Sequence, residues 1–258
     1  VNGLLRNVER SRDQITYPDP SRDIVSYLAV FYSHPEWMVS RWIDRYGYED
    51  TRKLLAFNNQ SPPLTVRVNR LKTNASELAA RLDAEGVKAR AGKISDTSLL
   101  LESLPTPLSE LQAYSEGLFY IQGESTMLIP LCLAPRPDSL VYDFCCGVGG
   151  KTTHLAELMG DRGKIVAFDL YRHKLELLEQ NCRRLGISIV ESRQGDLFDL
   201  IPELTEADAV LLDAPCSGLG VLRSRADLRW RKKEEDIALM SELQSRMLEQ
   251  AARTVRPG

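Results

Sequence analysis

The sequence predicts an α/β protein in which a mostly parallel sheet follows a small α+β subdomain and a set of N-terminal helices. Two observations support this fold class. Strand-like and helix-like segments alternate from about residue 123 onward, a pattern typical of βαβ units with right-handed crossovers. A glycine-rich stretch, DFCCGVGGKTT, lies between the first of these strands and its helix, which is where parallel sheets bind ligands.

The composition is that of an ordinary globular protein. Hydrophobic residues make up 43% and charged residues 27% of the 258 residues, so extended disorder is not expected. No apolar run approaches the roughly 20 residues that span a bilayer, and the N-terminus lacks a signal-peptide pattern. The five cysteines form no Cys-x-x-Cys pair, which argues against zinc or disulfides and favours a reducing cytoplasm. We expect a cytoplasmic protein without membrane contact or metal, and no pattern indicates an oligomer.

Residues 1–60 are predicted to be a helical linker region. The stretch RDIVSYLAVFYSH has apolar residues at helical spacing. In PEWMVSRWIDRYG, a second helix is predicted to begin at Pro35 and to end at Gly47, because proline favours the first helical position and glycine favours the end.

Residues 61–122 are predicted to form a small, RRM-like α+β subdomain. TVRVN alternates as strands do, and NASELAARLDAEG follows as a helix that Asn74 caps and Gly86 closes. VKARA and SLLLES are further strand candidates, which gives the order β-α-β-β.

Residues 123–258 are predicted to form the larger domain. After the helix ESTMLIPLCLA come four strands, SLVYDF, KIVAFDL, ISIVESRQGD and ADAVLLDAP, and the helices KTTHLAELMG, YRHKLELLEQNCRRLG and EEDIALMSELQSRMLEQAARTV. The fourth strand is apolar throughout, so we expect it to be covered on both faces and paired on both edges.

The glycine-rich stretch is compatible with three ligands. A triphosphate loop requires glycine where this chain has Cys145, so that interpretation fails. A dinucleotide fingerprint requires glycine at Thr152 and is poorly supported. S-adenosylmethionine has no pyrophosphate and needs only a tight glycine turn and an acid on its ribose. Asp169 ends the second strand, where an acid reaches ribose hydroxyls, and Asp196 ends the third, where it could accept from an adenine amino group. Either acid could instead cap a helix.

The fourth strand delivers an acid and a thiol, Asp213 and Cys216, to the same edge of the sheet. Hydride transfer needs no such pair, whereas methylation of cytosine at carbon 5 does. A thiolate that adds at carbon 6 makes carbon 5 nucleophilic, and an acid holds or protonates the base. The structural alternative is a buried cysteine beside a turn or cap aspartate.

With these motifs the chain resembles the Nop2/Sun/RsmB family of RNA cytosine-5 methyltransferases, and within it the bacterial 16S ribosomal RNA enzymes. The resemblance rests on HPEWMVSRWIDRYG, NNQSPPLTVRVN, IQGES, the glycine loop, DAPCSGLGVLRSRADLRWRK and LQSRMLEQAARTVRPG. It implies a Rossmann-like methyltransferase fold, S-adenosylmethionine as cofactor, and a flipped cytosine of structured RNA, expected to be 16S ribosomal RNA, as substrate.

The resemblance also implies the residues of the site. The cofactor would lie against the glycine loop, with acids around its ribose, its adenine, and its methionine end or the target base. The loop residues are Cys145, Cys146, Gly147, Val148, Gly149, Gly150 and Lys151, and the acids are Asp169, Asp196 and Asp213.

The chain departs from the family pattern in two places. Gly147 and Val148 stand where the family usually has Ala-Pro, which alters the expected stiffness of the loop. The family's attacking cysteine lies in a Thr-Cys-Ser motif on a fifth strand, which would follow the final RPG. We therefore expect a chain truncated at both ends, with its main nucleophile beyond Gly258. Cys216 would then assist product release, or would itself attack, as the Pro-Cys cysteine does in cytosine-5 DNA methyltransferases.

Nucleic-acid contacts must come from local patches, because the net charge of -3 gives no general attraction. The run RSRADLRWRKK supplies the candidates Arg223, Arg225, Arg229 and Arg231, and VRVN supplies Arg67. The run could equally be a solvated face, and Arg67 could serve only to pack the small subdomain. Two other functions remain open at this stage: a non-catalytic RNA-binding module and an NAD-dependent oxidoreductase.

Overall fold

A computed structural model describes residues 2–257. The chain divides into two compact units. One contains the residues up to Pro62 together with Ser217–Leu239, and the other contains Pro63–Cys216 together with the residues from Met240 onward.

The first unit contains the helices α1 (Asn2–Arg10), α2 (Ile24–Tyr32) and α3 (Glu36–Asn58). Pro35 immediately precedes α3 in extended backbone. The predicted helix end at Gly47 is confirmed, because the helical segment that begins at Glu36 stops there at a kink. Gly47 adopts φ 76° and ψ 172° and kinks the chain, which only glycine does at low cost, and helical structure then resumes as far as Asn58.

The second unit begins with a four-stranded antiparallel sheet. Its elements are β1 (Leu64–Val68), α4 (Ala75–Ala84), β2 (Ala89–Ala91), β3 (Ser98–Leu101), α5 (Gln112–Ser115) and β4 (Phe119–Ile121), and the strand order is β2-β3-β1-β4. The predicted cap is confirmed, since the Asn74 side chain accepts from the Glu77 N–H at 3.0 Å. The sequence did not predict β4, which has only three residues and so no detectable alternation.

The remaining elements form a parallel sheet with helices. They are α6 (Glu124–Leu133), β5 (Leu140–Phe144), α7 (Gly150–Leu158), β6 (Lys164–Asp169), α8 (Arg172–Leu185), β7 (Val190–Gln194), α9 (Leu197–Leu200), β8 (Ala209–Leu212) and the greater part of α11 (Glu235–Ala251), whereas α10 (Leu228–Arg231) belongs to the first unit. The order β7-β6-β5-β8 is parallel throughout, which confirms the predicted α/β fold class. The order reverses between β5 and β8, so the loop after β5 lies at the point where such sheets bind ligands.

Strand β8 lies at one edge of this sheet. It pairs along its length with β5, and the preceding Ala207 forms a single parallel bridge to Val255. Three of its four residues are half-buried, so the expectation of complete burial and of pairing on both edges is wrong for the described residues. Among residues 2–257, none of the helices has the length and apolar character needed to span a membrane.

Candidate active site

The glycine loop connects β5 to α7 through left-handed backbone, and Gly149 is the position that requires glycine. Gly147 has φ 59°, Gly149 has φ 89°, and Cys145 in the same loop has φ 62°, a region that residues with a Cβ seldom adopt. A Cβ on Gly149 would also lie 2.2 Å from Leu178 Cδ1 on α8. The loop therefore packs closely on α8 and presents the N-terminus of α7 at the edge of the sheet, where the helix dipole and free N–H groups are positive.

Asp169, the last residue of β6, holds this loop from the side. Its carboxylate accepts from the N–H of Gly147 at 3.0 Å and from the N–H of Tyr171 at 3.0 Å. Lys174 Nζ lies 3.3 Å from it. The side chain is buried, with the residue 5% exposed, so its charge is compensated by these donors rather than by bulk water.

A cavity of about 440 Å³ opens beside Asp169 at the carboxyl ends of the strands. Carboxylates after β6, β7 and β8 line it, as the sequence predicted for their positions. Its other walls are largely apolar. The lining residues are Phe144, Cys145, Phe168, Asp169, Leu170, Tyr171, Lys174, Gly195, Asp196, Leu197, Phe198, Asp213, Pro215, Leu243 and Met247.

Asp196 has two structural roles. It lines the cavity, and one of its oxygens accepts from the Phe198 N–H at 3.0 Å as the N-cap of α9. The structural alternative of a helix cap is therefore correct, and it does not exclude ligand contact, because the carboxylate retains further acceptor sites.

The glycine loop contributes less side-chain surface to the cavity than predicted. Of the seven predicted loop residues, only Cys145 lines it. Lys151 instead forms an ion pair with Asp213, with Nζ 2.6 Å from Oδ2. This pair fixes the loop to the end of β8 and leaves the cavity with Lys174 as its lining cation.

Asp143, on β5, is a buried acid next to the glycine loop that the sequence analysis did not single out. It is fully buried, and its Oδ2 accepts from the Thr152 hydroxyl at 2.6 Å, while Oδ1 has no hydrogen-bond partner among the described residues. Burial raises the pKa of this carboxyl to about 7. The available signal was a lone acid in an otherwise apolar strand.

Cys216 follows the same edge of the sheet as the acids. Its thiol is exposed, and the preceding Pro215 lines the cavity while its carbonyl accepts from Gln244 Nε2 on α11 at 2.7 Å. Cys216 itself is not a lining residue of the cavity, but the residue before it is.

The two loop cysteines have thiols with raised pKa values. Burial is the main cause that raises the pKa of the Cys145 thiol to about 11, and it raises the pKa of Cys146 as well. At pH 7 only about one Cys145 in ten thousand is then a thiolate, the reactive form. We expect iodoacetamide at pH 8 to alkylate the exposed Cys216 and Cys132 first and the loop cysteines only on unfolding. Peptide mass spectrometry with and without denaturant checks this, and prompt labelling of Cys145 in the folded protein would contradict it.

Two of the predicted RNA-binding arginines are buried, which corrects those predictions. Arg67 is 0% exposed and bonds to α7, and Arg229 is 4% exposed. Arg229 donates to the carbonyls of Ser33 and Asn58 and to Asn59 Oδ1. Neither guanidinium is accessible to a phosphate, because each is enclosed by protein acceptors.

The other three arginines of the basic run are more accessible. Arg223 is half-buried; it donates to the carbonyls of Gln60 and Ser61 and lies over the Phe57 ring at 4.3 Å. Arg225 and Arg231 are exposed. Between them Trp230 is 63% exposed, an aromatic that the sequence analysis did not single out although it stands inside the basic run.

The lining of the cavity fits S-adenosylmethionine better than a dinucleotide. Three carboxylates and one lysine line it, so a doubly charged pyrophosphate would meet net negative charge, whereas a sulfonium and an ammonium group would be attracted. Asp169 and Asp196 can accept from hydroxyl and amino groups, and the apolar walls suit an adenine ring. Asp169, Asp196, Asp213 and the loop backbone are the groups that would hold this cofactor. Among the described residues, no group of three or more His, Cys, Asp or Glu side chains could hold a metal ion.

Comparison with known proteins gives consistent matches. Residues 130–258 match the family described as 16S rRNA methyltransferase RsmB/F, and residues 34–107 match a ferredoxin-like domain of RsmF/B-like methyltransferases. The chain is 35% identical over its whole length to the probable ribosomal RNA small subunit methyltransferase B of Bacillus subtilis, of which it covers 57%. It thus spans little more than half the length of this curated relative.

Two further relatives extend the comparison. A human 28S rRNA (cytosine(4447)-C(5))-methyltransferase is 34% identical over 96% of the chain, which covers 31% of that protein. A crystal structure of a methyltransferase homolog protein from Pyrococcus horikoshii superposes with a TM-score of 0.80 at 28% identity, over 93% of this chain and 75% of the other.

Proposed function

Because the chain belongs to the 16S rRNA methyltransferase RsmB/F family, we propose that it carries the core of an enzyme that methylates carbon 5 of a cytosine in 16S ribosomal RNA. The proposed cofactor is S-adenosylmethionine. The observation that carries the proposal is the placement of Asp213 and Cys216 after β8, beside an acid-lined cavity at the carboxyl edge of the sheet. The relatives' names, which specify ribosomal RNA and in one case cytosine C5, support it.

The proposed domain organisation is a helical linker region at residues 1–60, a small α+β domain at 61–122 and the catalytic domain at 123–258. The antiparallel sheet falls within the second range and the parallel sheet within the third, whereas Ser217–Leu239 of the third range belong to the compact unit of the N-terminal helices. We place the enzyme in the cytoplasm, since its five cysteines are free as in a reducing compartment.

Bound S-adenosylmethionine supplies an electrophilic methyl group, and the residues of the chain position the acceptor base. A cysteine thiolate forms a bond from its sulfur to carbon 6 of the cytosine, and the ring electrons move to make carbon 5 nucleophilic. Carbon 5 takes the methyl group, a base then removes the carbon 5 proton, and the C6–S bond breaks as the double bond re-forms. Asp213 would hold or protonate the base at N3 and its amino group as charge develops.

Two roles are open to Cys216 in this scheme. The family resemblance assigns it to product release, with a different cysteine as the group that attacks carbon 6. The alternative is that Cys216 itself attacks carbon 6. Cys216 is exposed and follows a residue that lines the cavity, so it would be accessible to a flipped base in both cases.

The function is tested with the full-length gene product and transcribed 16S ribosomal RNA. Tritiated methyl groups should pass from S-adenosylmethionine to RNA and be recovered as 5-methylcytosine after nuclease digestion. Cofactor binding without transfer would favour a non-catalytic RNA-binding module. Calorimetric binding of NAD, with none of S-adenosylmethionine, would favour an oxidoreductase.

The proposed RNA-binding surface, which we call the arginine–tryptophan face, consists of Arg225, Trp230 and Arg231. The Trp230 ring is exposed and available to stack on a base, while the two guanidinium groups are available to phosphates. Arg231 lies 3.3 Å from Asp227 in an exposed pair, which stabilises little and can be exchanged for a phosphate contact. Arg223 and the buried Arg229 hold the segment in place.

We expect Trp230→Ala to weaken binding to transcribed 16S ribosomal RNA about tenfold, because one base–aromatic stack is lost. The salt dependence of RNA binding should hardly change in this variant. Arg225→Gln should instead lower the slope of log affinity against log salt by about one, as one phosphate contact is lost. Filter binding across salt concentrations measures both. Leu239→Ala, at an equally exposed apolar residue, is the control, and equal losses for Trp230→Ala and Leu239→Ala would contradict the stacking role.

A further inference from the structure

Arg67 belongs to β1 of the small antiparallel sheet, yet its buried guanidinium is bonded mainly to α7. Nε and Nη2 donate to the two carboxylate oxygens of Glu157 at 3.1 and 2.7 Å. Nη2 also donates to Thr153 Oγ1 at 2.9 Å, and Nη1 donates to the Gly150 carbonyl at 2.8 Å. Nη1 makes a further contact to Gln122 Oε1. An arginine side chain has five N–H donors, and this one makes five contacts.

The three α7 partners form one stripe on the helix. Gly150, Thr153 and Glu157 are spaced three and four residues apart, so they lie on the same face. Gly150 is the first residue of α7 and the last glycine of the glycine loop. A single planar side chain therefore fixes both the start of the helix and its rotation about the helix axis.

Tyr120, on β4 of the same antiparallel sheet, holds the loop at a second position. Its hydroxyl donates to the Val148 carbonyl at 3.4 Å, and a Cβ on Gly150 would lie 3.4 Å from its ring. The Arg67 guanidinium carbon lies 5.2 Å from the centre of this ring. Two strands of the small sheet thus contact the cofactor loop.

The energetics favour a positioning role over a purely stabilising one. Removing an arginine and a glutamate from water carries a large desolvation cost, and apolar residues of similar volume commonly stabilise a fold as well or better. Burial raises the pKa of Glu157, and Arg67 opposes that rise. An apolar pair makes no directional contacts, whereas the planar guanidinium group makes hydrogen bonds of fixed geometry that set the orientation of α7.

We propose that Arg67 is a positioning residue for the S-adenosylmethionine loop and that strands β1 and β4 of the small antiparallel sheet are thereby part of the cofactor site. This inference rests on the proposed function. Arg67 does not touch the cofactor itself; it holds the backbone of residues 148–153 in the conformation that the cofactor requires, so that its loss acts through the loop.

Arg67→Lys in the full-length gene product tests the proposal, since lysine keeps the charge but has three donors instead of five. We expect the Kd for S-adenosylmethionine, measured by calorimetry, to rise about tenfold or more. KM for the cofactor should rise likewise and KM for RNA should not. Without any cofactor, amide hydrogen exchange of residues 147–152 should become faster.

Leu99→Ala is the matched control. Leu99 is buried in the core of the small sheet and has no part in the Arg67 contacts. The substitution should therefore lower the thermal midpoint of unfolding without changing the contacts of the glycine loop. At temperatures below its thermal midpoint, the Leu99→Ala variant should have the cofactor affinity and the loop amide hydrogen exchange of the wild type. Should Arg67→Lys fail to fold, Glu157→Gln keeps the shape of the side chain, breaks the paired contact with Arg67 and should weaken cofactor binding about fivefold.

The outcomes separate the two proposals. Unchanged affinity and loop exchange in Arg67→Lys, or changes that Leu99→Ala matches at equal destabilisation, would overturn the positioning role. A wild-type protein that binds no S-adenosylmethionine would overturn the proposed function, and the loop exchange of the free variants would still test Arg67 on its own.

Discussion

Replacing Cys216 by alanine in the full-length gene product is expected to lower multiple-turnover methyl transfer at least about a hundredfold, the effect typical of a lost acid–base or leaving-group function. We expect a covalent protein–RNA adduct to accumulate at the same time. The reason is that a release role acts after the attack on carbon 6, so its loss leaves the C6–S bond intact. A denaturing gel with labelled RNA measures the adduct, and tritium transfer measures turnover.

The control for this variant is Cys132→Ala, which removes another exposed cysteine, on α6, outside the lining of the cavity. It should leave turnover unchanged and form no lasting adduct. Loss of turnover in Cys216→Ala without any adduct would instead assign the attack on carbon 6 to Cys216. Full turnover would remove Cys216 from the mechanism.

Replacing Asp169 by alanine is expected to weaken S-adenosylmethionine binding at least about a hundredfold. The carboxylate would accept two ribose hydroxyls, and hydrogen bonds to a charged group contribute about 1.5–3 kcal/mol each. The same carboxylate holds the Gly147 and Tyr171 N–H groups, so the loop also loses its lateral support. Isothermal titration calorimetry measures the loss directly.

Asp199→Asn provides the comparison for this measurement. Asp199 is an exposed acid on α9 that does not line the cavity, so its removal should change affinity less than twofold. If Asp169→Ala bound S-adenosylmethionine as the wild type does, the cavity beside β6 would not be the cofactor site. An equal loss in both variants would indicate a general effect of negative charge.

The sequence by itself determined the parallel sheet and the gathering of acids at one edge. Alternating strand and helix periods impose βαβ units, and the carboxyl ends of parallel strands share an edge. Asp169, Asp196 and Asp213 could therefore be assigned to one cavity from their positions after consecutive strands. The need for glycine in the loop followed in the same way, because backbone conformation depends on the residue itself.

The tertiary structure alone decided which charged and apolar groups are buried. Arg67 and Arg229 are the same residue type as Arg225 and Arg231. Acceptors from residues far away in the sequence surround the first two, whereas the other two are exposed to solvent. No local pattern encodes a partner 90 residues away, as Glu157 is from Arg67. The burial of Asp143 and the helix that resumes after Gly47 depend likewise on packing between elements. Local periodicity specifies faces and edges, whereas burial is a property of the assembled chain.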